Sequence, residues 1–483
     1  MPLKHKPGRS VSVEELRLAA QQSASMAIRT ANLGSHVSVE SARNVAVRLR
    51  ASHPLYQKTT MENGIRVVTE TIPGSRSVAI GILIDAGPRD EQPEKAGLAH
   101  LAEHLMFQGT SSRDEKQIAN LMDVGGGNFG GFTTRDYTCY FATVLDDYRT
   151  YAIDLLGDIL LNSIFLPENI EREKSIILRE IDRVRDTPYE RAHMLLKSSV
   201  WPGHPLGRAI TGNSTTVRSL TREDVIYFVH NHYLPDRMII SAAGNVEHQD
   251  FVAQVRDAFW RLQGSSRALV NKQPASRSGV MLEHAAVSQA YFSVGIPTHP
   301  YASADRYSIH LINNLLGGGI SSRLYRSIRE ERGLAYHIES EYHAYRDAGL
   351  LVIEGSTLPE YLLQVLALTF DELDRLLSGK QSVDAEELWK AKMHLRGQHL
   401  LAGENTNTRM SRLATQEFYF GEHIPSDEVL SRIDSPDHQD LQRFANETFS
   451  ELLGKAMIAI VGPEDADTHS SSSVSDLLAE FAR

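Results

Sequence analysis

The sequence predicts an α+β protein that contains two homologous copies of one domain. A chain of 483 residues is longer than the roughly 250–300 residues at which one hydrophobic core stops growing, so more than one domain is expected. From about residue 60 onward, segments with strand-like alternation are followed by segments with helical periodicity. The second half also repeats parts of the first at a fixed offset, which indicates a duplication.

The composition is typical of a globular protein and argues against nucleic-acid binding, a membrane-spanning helix and cysteine-based sites. A net charge of −11 argues against nucleic acid as the main partner, because binding to phosphate depends on Lys and Arg. No apolar run approaches the length of about 18 residues that a membrane-spanning helix requires. The single cysteine, Cys139, excludes an intrachain disulfide and a metal site built from cysteines.

The predicted location is cytoplasmic. One cysteine in the whole chain agrees with a reducing compartment. The amino terminus, MPLKHKPGRS, is basic but lacks the apolar core of a secretory signal. A mitochondrial matrix location and an exported location stay open as alternatives.

Residues 1–55 differ from the rest and are predicted to be a basic helical extension. This segment holds eight Lys and Arg residues against three Glu residues. Ser12 and Ser38 each precede Val-Glu and are suitable N-caps for helices. A targeting presequence is the alternative, but the acidic residues count against it.

The first domain is predicted to span residues 56–262. Asn63-Gly64 forms a turn signal ahead of the first predicted strand, and alternating apolar residues identify the strands that follow. The predicted strands are Ile65–Thr71, Val78–Asp85, Phe129–Val144 and Met238–Gly244. The predicted helices cover residues 93–108, 114–124, 146–162 and 167–197.

A linker is predicted at residues 263–279, and a second domain at residues 280–483. The linker segment is rich in Ser, contains Gly and Pro, and has no acidic residue. After it, Asn314–Arg323 aligns without gaps on His104–Arg113 at an offset of 210 residues. The two segments share one Leu, one Gly, two Ser and one Arg. This repeat supports a duplicated domain.

The two copies differ at positions that carry chemistry. At the same offset, HLAEH of the first copy aligns with HLINN of the second, so Glu103 and His104 face Asn313 and Asn314. After small insertions, Glu180 faces Gly397. The first copy has therefore kept polar ligands where the second has kept only the scaffold. His310, the counterpart of His100, is predicted to be a packed core histidine without a metal role.

The motif HLAEH predicts a metal site in the first copy. His100 and His104 lie one helical turn apart and can bind one metal from the same side. Catalytic zinc usually has three protein ligands and an open position for water, whose proton a nearby carboxylate accepts. Glu103 fits this role of general base, and Glu180 fits the third ligand position. Glu173, two helical turns before Glu180, lies on the same face and is predicted to support the ligands.

A solvated helix face is the alternative interpretation of this motif. The neighbouring residues are nearly all apolar, so the histidines and glutamates belong to a segment that faces a core. Burying such side chains without a partner is costly. The second copy also replaces Glu103 and His104. These observations favour a site for one zinc ion per chain.

HLAEH together with Glu180 resembles the inverzincins, the pitrilysin and mitochondrial-processing-peptidase family of zinc peptidases. The resemblance covers residues 55–465. It implies two α/β-roll domains, each an antiparallel-rich sheet packed with helices, with zinc in the first copy only. It also implies a zinc-dependent endopeptidase that acts on extended peptides or precursor segments. Because one chain corresponds to half of the family's clamshell, a homodimer or a heterodimer with a related subunit is implied.

The resemblance also implies substrate-binding residues. Ser321–Tyr336 is similar to the family signature in which an Arg and a Tyr seven residues apart contact substrate, here Arg329 and Tyr336. The run around Gly130, Gly131 and Phe132 resembles the sheet edge where substrate binds as an added strand. Many relatives carry Asn-Ala in place of the two glycines, which leaves substrate preference open. Some relatives have lost zinc and serve as partner subunits, but the complete motif favours an enzyme.

Overall fold

The structure is a computed structural model, and it describes residues 55–266, 273–377, 383–449, 454–463 and 471–481. These ranges belong to one compact unit that begins at Pro54. The extension predicted for residues 1–55 lies outside the described residues except for Leu55. The central part of the predicted linker, residues 267–272, also lies outside them.

The described residues form eleven strands, fifteen α-helices and several shorter helices. The strands are β1 (Leu55–Thr60), β2 (Arg66–Thr71), β3 (Ser77–Ile84), β4 (Asn128–Thr133), β5 (Thr138–Leu145), β6 (Met238–Gly244), β7 (Gly279–His284), β8 (Ala290–Thr298), β9 (Ala335–Ala344), β10 (Gly349–Thr357) and β11 (Met457–Gly462). The α-helices of the first half are α1 (Leu98–Leu105), α2 (Glu115–Met122), α3 (Arg149–Asn162), α4 (Pro167–Asp186), α5 (Pro188–Val200), α6 (Ser214–Ser219), α7 (Arg222–His232) and α8 (His248–Phe259). Those of the second half are α9 (Arg306–Gly317), α10 (Leu362–Leu377), α11 (Ala385–Ala402), α12 (Thr406–Phe420), α13 (Ser426–Asp434), α14 (His438–Phe444) and α15 (Ser471–Phe481). The 3-10 helices are Pro88–Asp90, Pro93–Lys95, Val124–Gly126, Asp146–Tyr148, Pro205–Gly207, Pro235–Arg237 and Pro359–Tyr361, and the π-helices are Tyr325–Glu330 and Ala445–Phe449.

The two sheets have the same topology. The first has the order β1-β2-β6-β3-β5-β4, and the second has the order β7-β11-β8-β10-β9. In each sheet one pair is parallel, β2 with β6 and β7 with β11, and the other pairs are antiparallel. When β1 is left out, the strands of the first sheet follow the same order, relative to the sequence, as those of the second. The predicted α+β fold with two homologous, antiparallel-rich sheets is therefore confirmed.

Each sheet is covered on one face by helices of its own half and on the other by a helix of the opposite half. Alternate residues of β3, such as Ile80 and Ile82, pack into the core of the first half. Its other face, with Ala79 and Leu83, packs against α12. In the same way α5 covers the second sheet through contacts with β8 and β11. The two halves thus exchange one helix each.

Three predicted elements differ from the structure because of local chemistry. The helix predicted for residues 167–197 is divided into α4 and α5, since Pro188 has no N–H to continue the ladder. The strand predicted for Phe129–Val144 is a hairpin of β4 and β5, in which Thr134 Oγ1 accepts from the backbone N–H groups of Asp136 and Tyr137. The helix predicted from residue 93 begins only at Leu98.

Gly97 explains the late start of α1. Its φ of 97° is in the left-handed region, which favours glycine. A Cβ at this position would also lie 2.6 Å from the backbone oxygen of Thr211.

The strand β1 was not predicted at all. Within the described ranges, no helix is long and apolar enough to cross a membrane.

Candidate metal centre

Helix α1 carries the HLAEH motif and is anchored by its apolar side chains. Leu101, Ala102 and Leu105 are buried in the core of the first half. The opposite side of the helix therefore presents His100, Glu103 and His104 together. α1 contacts α4, which carries the two predicted acidic residues, and β4, the edge strand of the sheet.

Glu91 caps the amino terminus of α1 across a loop. Its Oε2 accepts a hydrogen bond from Gly97 N at 3.1 Å, and its Oε1 accepts one from Ala99 N at 2.7 Å. These two N–H groups belong to the helix end, where intrahelical partners are missing. Burial raises the pKa of Glu91 to about 7. Glu91 carries no local sequence signal for this role, because its partners lie outside any standard capping spacing.

His100, His104 and Glu180 bring ligand atoms close together, one from each residue and all within 4.8 Å of one another. The distances are 3.2 Å between His104 Nε2 and His100 Nε2, 3.9 Å between His100 Nε2 and Glu180 Oε2, and 4.0 Å between His104 Nε2 and Glu180 Oε1. Around a tetrahedral zinc with ligand bonds of about 2.0–2.1 Å, ligand atoms lie about 3.3–3.4 Å apart. The arrangement fits zinc. It is the only cluster of this kind in the part of the chain that the structure describes.

The environment keeps His100 in the form that can bind a metal. Burial, with a smaller contribution from the nearby His104, lowers the pKa of His100 to about 3. The neutral imidazole offers a lone pair, whereas the protonated ring has none. His100 Nδ1 is buried and has no hydrogen-bond partner among the described residues. Two imidazole nitrogens that face each other at hydrogen-bond distance with a carboxylate nearby form a donor set suited to a cation.

Glu173 contacts the far side of His104. Its Oε2 lies 3.1 Å from His104 Nδ1, and its side chain is only 5% exposed. A histidine that binds metal through Nε2 commonly donates its Nδ1 proton to a carboxylate, which fixes the tautomer and the ring orientation. Arg172 Nε lies 3.5 Å from the other oxygen of Glu173. This geometry suits a residue that orients a ligand.

Glu103 faces the edge strand β4. Its Oε2 accepts a hydrogen bond of 3.1 Å from Thr133 Oγ1. The residue is buried, and burial raises the pKa of its carboxyl group. Thr133 was not among the site residues predicted from the sequence. The alternation of side chains along a strand could have indicated it, since Thr133 shares a face with Gly131.

The three predicted substrate residues of β4 lie on both faces of the sheet. A Cβ on Gly131 would lie 3.2 Å from Glu103 Oε1, so this glycine faces the motif. A Cβ on Gly130 would instead contact the ring of Phe141 on the opposite face. Phe132 is 37% exposed. In the described sheet β4 pairs only with β5, so its other edge has no strand partner.

Arg329 and Tyr336 are neighbours in the second half. The guanidinium of Arg329 lies 5.2 Å from the ring centroid of Tyr336 and 4.8 Å from that of Tyr325. Tyr336 is 79% exposed, so its ring and hydroxyl group are accessible. Among the described residues, the guanidinium of Arg329 lies over the rings of Tyr325 and Tyr336 and not over a ring of the metal cluster.

The prediction that His310 is a packed core histidine is wrong. His310 is exposed, and its ring makes an edge contact with Tyr342 at 5.2 Å. The reason is its position on α9: Leu311 and Ile312 point into the core of the second half, and His310 lies on the other side. In the described part of this half, no cluster corresponds to the metal centre of the first.

Comparisons with known proteins match both halves to one family. The model described as "Insulinase (Peptidase family M16)" matches residues 66–214, and the one described as "Peptidase M16 inactive domain" matches residues 219–395. The uncharacterized zinc protease YmxG of Bacillus subtilis is 33% identical over 84% of this chain and 99% of its own length. An uncharacterized zinc protease of Streptomyces coelicolor is 34% identical over 84% of this chain and 89% of its own.

Solved structures agree in fold. A peptidase M16 inactive domain from Pseudomonas fluorescens matches with a TM-score of 0.78 and 21% identity, over 84% of this chain and 98% of its own. A protease from Helicobacter pylori matches with a TM-score of 0.78 and 19% identity, over 85% of this chain and 100% of its own. The family models and the sequence relatives show that the chain belongs to peptidase family M16 and is a metallopeptidase with zinc as its cofactor.

Proposed function

We propose that this chain is a zinc-dependent endopeptidase that hydrolyses extended peptides or precursor segments. In this proposal His100, His104 and Glu180 hold one zinc ion, and Glu103 is the general base. The observation that carries the proposal is the convergence of three ligand atoms, one from each residue and all within 4.8 Å of one another, beside a buried carboxylate. Three protein ligands would leave a catalytic zinc ion with an open position for water.

The residues of the chain have separate tasks in this reaction. A zinc ion held by His100, His104 and Glu180 would lower the pKa of water to about 7 and polarise the scissile carbonyl. Glu103 accepts the proton of the attacking water and passes it to the leaving amine. Glu173 keeps the Nε2 atom of His104 turned toward Glu180 by binding Nδ1. Burial raises the pKa of the Glu103 carboxyl group, and the hydrogen bond from Thr133 opposes this shift.

The edge strand β4 supports an extended substrate. A peptide that adds to this edge forms backbone hydrogen bonds with β4 around Gly130, Gly131 and Phe132, and its scissile bond comes close to Glu103. The glycines leave the backbone accessible. Arg329 and Tyr336 contact the substrate from the second half, which the exposure of Tyr336 and the contact of the Arg329 guanidinium with its ring support.

The proposal includes the domain division and an assembly. The catalytic domain is residues 56–262, the linker is 263–279, and the inactive domain is 280–483; the two sheets of equal topology support this division. A homodimer, or a heterodimer with a related subunit, completes the clamshell. The acidic net charge and the single cysteine support a cytoplasmic protein that does not bind nucleic acid.

The test is a cleavage assay on the purified chain, alone and with any subunit that co-purifies. A set of unstructured peptides should be cut internally, and a chelator should stop the reaction until zinc is restored. Cleavage that survives complete removal of zinc would contradict the proposal. If zinc is bound and no peptide is cut in either preparation, a role as a non-catalytic partner subunit would replace it.

A further inference from the structure

We propose that Thr133 is a positioning residue for Glu103: its hydroxyl group holds one carboxylate oxygen and leaves the other free for the reaction. This inference rests on the proposed role of Glu103 as general base. It concerns a residue outside the HLAEH motif, supplied by the edge strand and not by the zinc-binding helix.

Strand geometry places Thr133 where it can act. Side chains two residues apart share one face of a strand, so Gly131 and Thr133 both face α1. Gly131 contributes only its backbone there. A Cβ on Gly131 would lie 3.1 Å from Glu103 Cγ and 3.2 Å from Glu103 Oε1. β4 therefore binds Oε2 through the Thr133 hydroxyl group and leaves the space beside Oε1 free of a side chain at Gly131.

The single proton of Thr133 is assigned to Glu103 by its neighbours. Thr138 Oγ1, on the paired strand, lies 3.5 Å from Thr133 Oγ1 and donates its own proton to Ala86 O at 2.9 Å. The contact of 3.5 Å is too long to compete with the bond of 3.1 Å to Glu103 Oε2. A carboxylate only accepts, so Thr133 is the donor.

This bond should act on the chemical step. Holding Oε2 fixes the rotation of the carboxylate and keeps Oε1 turned toward the substrate edge. A general base must lie within hydrogen-bond reach of the proton that it abstracts, so loss of orientation lowers kcat. Substrate binding depends on the β4 backbone, which a side-chain change leaves in place, so KM should change little.

The experiment compares Thr133→Val, which removes the hydroxyl group at nearly constant shape, with Thr133→Ser, which keeps it. Thr143→Val is the matched control, because Thr143 Oγ1 is buried on the neighbouring strand without a hydrogen-bond partner among the described residues. kcat, KM and zinc content are measured for each. Thr133→Val should lower kcat by about 10- to 100-fold, the range expected for loss of a hydrogen bond to a charged group.

Thr133→Ser should keep most of kcat, and Thr143→Val should match the wild type. Equal kcat in Thr133→Val and the wild type would overturn the inference, as would an equal loss in Thr133→Val and Thr133→Ser, or a loss of zinc from Thr133→Val. If Thr133→Val does not fold, the comparison of Thr133→Ala with Thr133→Ser decides in the same way. Glu103→Gln distinguishes a failure of this inference from a failure of the proposed function. If Glu103→Gln stays active, the proposed role of Glu103 as general base is wrong, whatever the Thr133 variants show.

Discussion

Met410 of α12 lies directly over Gly81 of β3, so that a Cβ on Gly81 would approach the Met410 sulfur to 2.1 Å. The second half shows the same relationship in reverse. A Cβ on Gly295 of β8 would lie 2.9 Å from Leu196 of α5. In both places a glycine in a central strand lets a helix from the other half approach the sheet. The halves are therefore joined through their cores and not through the linker alone.

This close approach predicts non-additive stability changes. Gly81→Ala should lower the free energy of unfolding by about 1–3 kcal/mol through overpacking, and Met410→Ala should lower it by about 2–5 kcal/mol through a cavity. In the double variant the new methyl group enters the space that Met410 leaves. Its loss should therefore be smaller than the sum of the two, as measured by urea unfolding of all four proteins.

Gly397→Ala is the control for this series. Gly397 lies within α11, and a Cβ there meets nothing within 4 Å. Alanine favours a helix over glycine by about 1 kcal/mol, so this variant should be at least as stable as the wild type. Strict additivity of Gly81→Ala and Met410→Ala would show that the two side chains do not share space.

Glu91 predicts a pH dependence of stability. Burial raises its pKa to about 7 from 4.5, so between these values the folded protein holds a proton that the unfolded chain has released. The free energy of unfolding must then decrease as the pH rises through this window. At about 1.4 kcal/mol per pKa unit, the loss is roughly 3 kcal/mol.

Glu91→Gln removes this titration. Between pH 5 and pH 8 the free energy of unfolding should decrease in the wild type but not, through this group, in the variant. The difference between variant and wild type should therefore increase with pH, whatever the absolute stability of the variant. Urea unfolding at several pH values measures the difference. Parallel profiles for the two proteins would show that Glu91 keeps an ordinary pKa in the folded state.

The sequence predicted the ligand helix well because its signals are local. His100, Glu103 and His104 stand within five consecutive residues, and the helical period alone puts them together. The repeat likewise predicted the duplicated fold. Pro188 was a local signal for a helix end that was overlooked, and it would have divided the predicted helix at residues 167–197 correctly.

Features that depend on tertiary contacts could not be predicted in this way. Glu91 reaches the end of α1 from outside the helix, and Thr133 reaches Glu103 from another element thirty positions away. The exchange of α5 and α12 between the halves has no signature in periodicity, because both helices carry ordinary apolar positions. His310 was wrongly placed in the core for a related reason: alignment with His100 gave its position on the helix but not which side of the helix is buried.

Glu173→Gln should reduce activity more than zinc content. The amide can still accept from His104 Nδ1 but carries no charge, so it should stabilise the ring orientation less well. We expect about 10- to 100-fold lower activity, the range typical for carboxylates that support a metal ligand. Cleavage rate and zinc per chain are measured on the same preparation. A variant with full activity would remove Glu173 from the site.

Arg329→Ala and Tyr336→Phe should impair peptide cleavage with unchanged zinc content. Both residues lie in the second half and neither belongs to the cluster of His100, His104 and Glu180, so neither variant removes a metal ligand. Arg329→Ala also removes the contact that holds the exposed Tyr336 ring, so it should reduce the cleavage rate more than Tyr336→Phe does. Steady-state cleavage of several peptides measures this. Wild-type rates on all of them would exclude a role in substrate binding.

The most direct test is zinc per chain, measured together with cleavage rate, in three variants. Glu103→Gln should keep one zinc ion and lose about 100-fold or more of the activity, because an amide cannot accept the proton of water. Glu180→Ala should lose both zinc and activity, since two histidines alone leave the site incomplete. His310→Gln, in the second copy, should keep both. Normal zinc in Glu180→Ala, or a second zinc ion that is lost in His310→Gln, would contradict this account.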